Sequence, residues 1–356
     1  MGEKIFFDTN LSALRTQSCA SCHNPATGFT DPDAHQSTSL GGDGVSFGTR
    51  NSPSLSYVGH IPDFEMAMKP STGLSLRKAA QNNPGVALLE LPLPELLGLL
   101  NQNIVLAPQS FGGFFLDGRA ATLEEQAKIP FFAANEMGLN SPGELVQRLR
   151  WSWYSWEFTR QFGYDVFSDS ERTLNGVAKA LAAYQRTQIF APFTSKFDRV
   201  AKGIDQFSAS EARGQALFNG KAGCFVCHTS PQGSEQVFSN FLYFNVGAPK
   251  NYEMLNSIGN PDFIDRGRAL ISGNPAEEGK FRTPTLRNVA KTAPYMHNGV
   301  FKTLHEVVNF YNIRDIAFTP ESSAPTMTPA PVIGNLGFTP VEVDDIVAFL
   351  RTLSDE

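Results

Sequence analysis

Cys19-Ala20-Ser21-Cys22-His23 decides how this chain is read, because the pattern returns as Cys224-Phe225-Val226-Cys227-His228 and the two stretches use all four cysteines. Thiols at i and i+3 share one face of a helical turn. Both can therefore form thioethers with the two vinyl groups of a haem, and the adjacent histidine then lies beneath the iron. A redox dithiol or half of a zinc site also uses Cys-x-x-Cys. Neither explains the double pattern as well, since no cysteine is left over and the two pairs stand far apart in the chain. The reading is two covalent c-type haems, with His23 and His228 as iron ligands.

The bulk numbers suit this. A chain of 356 residues favours two domains of ordinary size, one for each haem. Its 41% hydrophobic and 18% charged residues are those of a globular protein, and a net charge of -6 argues against a nucleic-acid partner. No run approaches the ~20 apolar residues that span a bilayer, so no membrane insertion is expected. Met1-Gly2-Glu3-Lys4 does not begin a secretory leader. Haem attachment nevertheless needs thiols delivered outside the cytoplasm, so the expectation is a periplasmic protein whose leader was replaced by a start methionine.

Lys4 to Leu14 reads as a short arm and helix before the first motif. Asn24 to Gly48, rich in Gly, Ser, Thr and Asp, reads as irregular. It carries His35, a candidate distal ligand of the first haem whose plainer alternative is a solvated loop histidine. Pro84 to Leu100 is apolar but interrupted by Pro92 and Pro94, a broken helix or wall. Thr122 with Glu125 and Ser141 with Glu144 have capping-box spacing, the second helix running through Leu145, Leu149 and Trp153. Trp151, Trp153 and Trp156 are the only tryptophans. Their spacing favours packed or half-buried aromatics over relay or docking residues. Glu171 to Ile189 is the clearest amphipathic helix, with Leu174, Val177, Leu181 and Tyr184 in one stripe. The domain change is set just before it, giving domains 1–166 and 167–356. A helix from Ser208 or Ser210 leads into the second motif. Thr303 with Glu306 caps a helix through Val307, Val308 and Tyr311, and a Thr319 to Pro331 connector precedes a last helix capped at Thr339.

With these motifs assembled, the chain resembles the bacterial dihaem cytochrome c peroxidase/MauG family along nearly its whole length. The resemblance rests on both haem motifs, Arg50-Asn51-x-Pro53, Asp117-Gly118-Arg119-Ala120, and above all Thr285-Leu286-Arg287-Asn288-Val289 with Thr292-Ala293-Pro294-Tyr295-Met296-His297. It implies an all-α fold of two cytochrome c-like domains with a calcium ion between them. The N-terminal haem would react with peroxide and the C-terminal haem would handle electrons. Carried over residue by residue, it implies Gln126, Pro130 and Glu136 in the distal pocket of the His23 haem. Glu136 would move the peroxide proton and Gln126 would hydrogen-bond the bound oxygen. The calcium ligands would be the Asn51 side chain and the Thr292 and Pro294 carbonyls, an oxygen set suited to Ca²⁺.

One family position separates two activities. Fourteen residues after His297, where peroxidases of the family carry methionine, this chain has Tyr311, as MauG-type enzymes do. A thioether favours ferrous iron, whereas an anionic oxygen favours higher oxidation states. The resemblance thus implies a His228/Tyr311 haem that stores oxidising power, with Met296 and Met254 as the alternative ligands and a buried, hydrogen-bonded phenol as the plainer reading. One position departs: the family's inter-haem tryptophan is Leu116 here, so Phe114, Phe115 or the Trp151 to Trp156 group would have to replace it. The expected activity is MauG-like, with hydrogen peroxide producing a high-valent dihaem state that oxidises Trp or Tyr residues of a partner protein. The alternatives are a peroxidase fed by a small cytochrome or cupredoxin, and a non-enzymatic dihaem electron carrier.

Overall fold

The computed structural model describes residues 1–67, 109–229, 235–322 and 333–356. The apolar stretch from Pro84 to Leu100 lies outside these, as does most of the connector expected at Thr319 to Pro331. Among the described residues the helices are α1 (Gly2–Phe6), α2 (Cys19–Cys22), α3 (Leu123–Lys128), α4 (Pro142–Arg150), α5 (Ser155–Phe162), α6 (Ser170–Gln185), α7 (Lys196–Ala201), α8 (Ala209–Asn219), α9 (Tyr252–Ser257), α10 (Ala269–Ser272), α11 (Leu304–Ala317) and α12 (Pro340–Arg351). Two short antiparallel pairs accompany them. β1 (Glu65–Ala67) pairs with β2 (Gln109–Phe111), and β3 (Tyr243–Phe244) with β4 (Phe281–Arg282) in the register Tyr243 to Arg282.

The expected caps form. Ser208, Thr303 and Thr339 each make a complete capping box with Glu211, Glu306 and Glu342. Thr122 and Ser141 also cap their helices. In both of these the glutamate reaches back one residue further, to the N–H of Ala121 and of Asn140.

Each haem motif is preceded by a helix that crosses a later helix where glycine allows backbone contact. A Cβ on Gly2 of α1 would collide with the Ala180 carbonyl of α6, and one on Gly214 of α8 with the Asp345 carbonyl of α12. The chain is thus a structural repeat without sequence repetition. Helix α6 closes the first unit, packing Val177, Ala178 and Leu181 into one core with Ile5, Leu123 and Leu145. A second core gathers Phe218, Phe225, Ile346, Phe349 and Leu350. Burying each of these large side chains contributes roughly 1.5–3 kcal/mol.

The helix after Phe167, α6, packs on the first core. Phe190, beyond α6, still belongs to the first core, whereas Phe197 packs on the second. Hydrophobic periodicity located the helix but could not say which core its stripe faces. The tryptophans also depart from expectation. α4 ends at Arg150, and Trp151, Trp153 and Trp156 are 85%, 70% and 58% exposed. Tyr154 is the residue of that turn that points inward, its hydroxyl donating to Asp8 at 2.7 Å.

The halves are joined by buried polar contacts. Asp355, beyond α12, accepts from the Tyr57 hydroxyl at 2.8 Å and the Asn288 amide at 2.9 Å. Arg50 bridges Asp117 at 2.6 Å and Asp265, whose Oδ1 lies 2.8 Å from its Nη2. Gly118 permits this junction: its φ is +68°, and a Cβ there would strike the Tyr243 hydroxyl.

Candidate active site

Local geometry is the same at both motifs. The first cysteine carbonyl accepts the histidine N–H at 2.9 Å in each, His23 on Cys19 and His228 on Cys224. α2 is held by a capping box in which Ser18 and Ser21 exchange bonds; the second motif is a 3₁₀ turn, Cys224–Val226. His23 Nδ1 faces the Phe29 carbonyl at 3.1 Å, and His228 Nδ1 faces the Phe238 carbonyl at 3.0 Å. A carbonyl only accepts, so Nδ1 carries the proton and Nε2 keeps its lone pair for a metal, oriented as axial histidines are. Burial pushes the His23 imidazole below its ordinary pKa and that of His228 down to about 4, so both rings stay neutral. Burial also lifts the thiols, Cys22 to about 11 and Cys19, Cys224 and Cys227 to about 12. That is the opposite of a reactive redox dithiol. No three His, Cys, Asp or Glu side chains converge as a metal cluster among the described residues.

Cys19, Cys22 and His23 open onto a cavity of about 480 Å³, within the ~300–1,000 Å³ usual for cofactor sites. Gln126, Pro130 and Glu136 line the same cavity, so the structure brings the expected distal group together with the first haem motif. α3 carries Gln126, the 3₁₀ turn Ile129–Phe131 carries Pro130, and the loop beyond it carries Glu136. The Met137 N–H bonds the Pro130 carbonyl at 3.0 Å and pins that loop. Among the described residues the Glu136 carboxyl has no hydrogen-bond or ion-pair partner. Burial raises it above the usual carboxylate range, opposed by the charge of Arg119. The cavity wall fits a polar occupant: among the described residues Gln185 Oε1 and Arg282 Nε are buried without partners, and both residues line it.

At the second motif, burial and the Cys227 and Cys224 thiols raise the Tyr311 phenol, which places that hydroxyl in their neighbourhood. Tyr57, Tyr154, Tyr243 and Tyr295 each donate to a carboxylate or carbonyl. Tyr311 has no hydroxyl partner among the described residues. Its helix is bent at Ile313 (φ -129°, ψ 17°), because the Tyr311 and Asn312 carbonyls accept from Gly334 at 2.7 Å and Leu336 at 2.9 Å instead of from the next turn. The phenol is thus anchored through its own backbone. Met254 is buried in the α9 packing, and Met296 lies in the Pro294 turn with φ +70°.

Of the expected calcium ligands, Asn51 and Pro294 meet: the Asn51 amide lies 2.5 Å from the Pro294 carbonyl, and the Asn51 N–H donates to the His297 carbonyl at 2.7 Å. The Thr292 hydroxyl is turned to the Val289 carbonyl at 3.3 Å. His35 is exposed, away from the His23 cavity, and its carbonyl accepts from Lys302 at 3.2 Å. Leu116, Phe114 and Phe115 line the cavity, the last beneath the Arg119 guanidinium at 3.5 Å; the exposed tryptophans do not line it.

Sequence reasoning left some residues without a role. Arg119, which tempers Glu136, and Arg50 and Asp117 of the bridge to Asp265 lie in the blocks that carry the family resemblance, whereas Asp265 lies outside them. Burial pushes Asp265 up, but the Arg50 hydrogen bonds and charge hold it below the usual carboxylate range. The carbonyls of Pro53 and Pro284 face the His23 and His228 rings respectively. The pairs Ser52-Pro53 and Thr283-Pro284 were the available signal.

Comparison with known proteins agrees with this geometry. The sequence model of the Di-haem cytochrome c peroxidase family matches residues 1–206, and that of Cytochrome c matches 211–354. The chain is 36% identical to the methylamine utilization protein MauG of Paracoccus denitrificans, over 100% of this chain and 88% of that one. It is 29% identical to the cytochrome-c peroxidase IdrP1 of Pseudomonas sp., over 99% of this chain and 80% of that one. The crystal structure of the diheme peroxidase BthA from Burkholderia thailandensis superposes with a TM-score of 0.81 at 29% identity, covering 99% of this chain and 85% of that one. Two c-type haem motifs in paired helical units, the first opening onto a cavity that Gln126 and Glu136 also line, together with these matches identify the chain as a haem-dependent enzyme belonging to the di-haem cytochrome c peroxidase/MauG family.

Proposed function

We propose that this enzyme is MauG-like, using hydrogen peroxide to oxidise tryptophan or tyrosine side chains of a partner protein. The observation that carries the reading is Tyr311, a half-buried residue whose phenol lies near the second pair of thiols with no hydrogen-bond partner among the described residues. A phenol kept for packing would satisfy its hydroxyl, as the buried Tyr57, Tyr154 and Tyr243 do. An oxygen donor opposite His228 suits a haem that stores oxidising equivalents, and a thioether would suit one that receives electrons at high potential.

When bound, the haems supply cleavage of the peroxide and storage of its two oxidising equivalents. The chain's own residues do the rest. The Glu136 carboxyl, free of partners among the described residues on the wall of the His23 cavity, would take a proton from one peroxide oxygen and return it to the other as the O–O bond is cleaved at the haem and water leaves. The Gln126 amide would donate to the peroxide, and Pro130 would limit the room beside it. The Asn51 side chain and the Thr292 and Pro294 carbonyls would hold a calcium ion. An Asn amide presents oxygen as readily as nitrogen, so its side chain can turn its acceptor to the ion beside Pro294.

Thioether attachment also supports a periplasmic location for this protein. Among the described residues no helix is long and apolar enough to cross a membrane.

Peroxide added to the fully oxidised protein without reductant tests the assignment. The MauG-like reading expects a long-lived near-infrared band, lost in Tyr311→His while both haems stay attached. A requirement for prior half-reduction would instead assign a peroxidase fed by a small redox protein, and inertness an electron carrier.

A further inference from the structure

Four arginines are buried among the described residues, Arg268, Arg282, Arg287 and Arg314. Arg287 pairs with Asp198 at 2.6 Å, Arg314 with Asp315 at 2.7 Å, and Arg268 has Glu277 at 3.8 Å. Among the described residues Arg282 has no carboxylate within reach; its Nε has no partner there, and Nη1 makes one long bond, 3.3 Å, to the Thr283 carbonyl. A guanidinium does not give up its proton in a protein, and an uncompensated buried charge costs several kcal/mol. Since the described residues supply no counter-anion, the space that Arg282 faces is the place for one.

That space is the cavity of Cys19, Cys22 and His23. The other cations on its wall are committed: Arg50 to Asp117 and Asp265, Arg119 to Asp117 at 3.1 Å. A haem tethered through its vinyl groups brings two carboxylates on the opposite edge of the macrocycle, and the guanidinium fork matches a carboxylate with two parallel hydrogen bonds. We propose that Arg282 binds a propionate carboxylate of the haem held by Cys19, Cys22 and His23. This rests on the haem assignment of that cavity.

The strand that carries Arg282 fixes it between the two sites. The Arg282 N–H donates to the Leu116 carbonyl at 2.8 Å, and two residues on, the Pro284 carbonyl faces the His228 ring. The Arg282 backbone therefore lies beside Leu116, and both residues line the cavity. A cation at that place favours the reduced state of the nearer haem and so separates the potentials of the two.

Spectroelectrochemistry and resonance Raman spectra of the holoenzyme test this with Arg282→Gln and Arg282→Lys. A pyridine haemochrome count of two haems per chain in each variant first confirms loading, and a lower count would indict the haem reading instead. In Arg282→Gln the potential of the His23 haem falls and the propionate bending bands of that haem shift. Arg282→Lys, which keeps the charge and loses the fork, shifts the bands with a smaller fall in potential. If Arg282→Gln does not fold, Arg282→Lys decides by its band position. Bands and potentials as in the parent protein, with only a lower melting temperature, would overturn the proposal, as would a shift confined to the His228 haem.

Discussion

Replacing Glu136 by Gln keeps the size and removes the proton acceptor. Two other carboxylates line the same cavity, but both are engaged by Arg50, and Asp265 is held low, so neither replaces the lost base. The Gln126 amide cannot accept a transferable proton. A positioned acid/base group is worth about 10² to 10⁴ in rate, or roughly 2.7–5.4 kcal/mol at about 1.36 kcal/mol per decade. With no substitute in the pocket, the upper half of that range is expected. Stopped-flow mixing with peroxide, followed at the Soret band of the His23 haem, measures it. In the parent protein the second-order rate constant should fall as pH drops through the raised pKa of Glu136, because protonation removes the base; Glu136→Gln should lose that limb. The Cys19 and Cys22 thiols, once thioethers, do not titrate, so Arg119 is the remaining charge that faces this carboxyl. Folded Glu136 is harder to ionise than in the unfolded chain, so its charge costs stability. That cost is absent below the ordinary carboxylate pKa, grows as pH rises through the raised value, and is then constant. Glu136→Gln should therefore be at least as stable as the parent at neutral pH. A rate constant within about threefold of the parent's, with the same pH limb, would refute the role given to Glu136.

Asp198→Ala strands the Arg287 charge at a site 1% exposed, where Nη1 and Nη2 each bond the lost carboxylate. The expected loss is about 3–5 kcal/mol, a fall in melting temperature of roughly 6–20 °C by calorimetry; a fall of a degree or less would mean that Ser195 and the Gln236 carbonyl suffice. Chelation of calcium should lower the melting temperature and slow inter-haem electron transfer, and Asn51→Ala should reproduce both without chelator, whereas insensitivity to both would remove the calcium site. Cys19→Ala with Cys22→Ala should leave one covalent haem per chain by pyridine haemochrome, on the His228 side; two would break the attachment argument.

Much of this was legible from residues alone because covalent and coordinate chemistry demands particular atoms at particular spacings. Two Cys-x-x-Cys-His motifs specify two haems whatever the surrounding fold, and capping residues announce helix starts because the orphan N–H groups there need acceptors. The Glu136 and Gln126 positions were reached by resemblance, and the cavity then placed them over the first motif. What the chain could not declare was sidedness and pairing. Helix α6 shows its apolar stripe in the sequence, but only packing reveals that the stripe faces the first core, which Phe190 beyond it also joins. Trp151, Trp153 and Trp156 have the spacing of buried residues, yet α4 ends before them, and the turn and the first residues of α5 leave them in solvent while Tyr154 points inward. An arginine in a sequence carries no sign of its counter-ion. That Arg287 has Asp198 and Arg282 has none is decided by residues distant in the chain that meet only when the cores close, because burial and charge compensation are properties of the assembled interior.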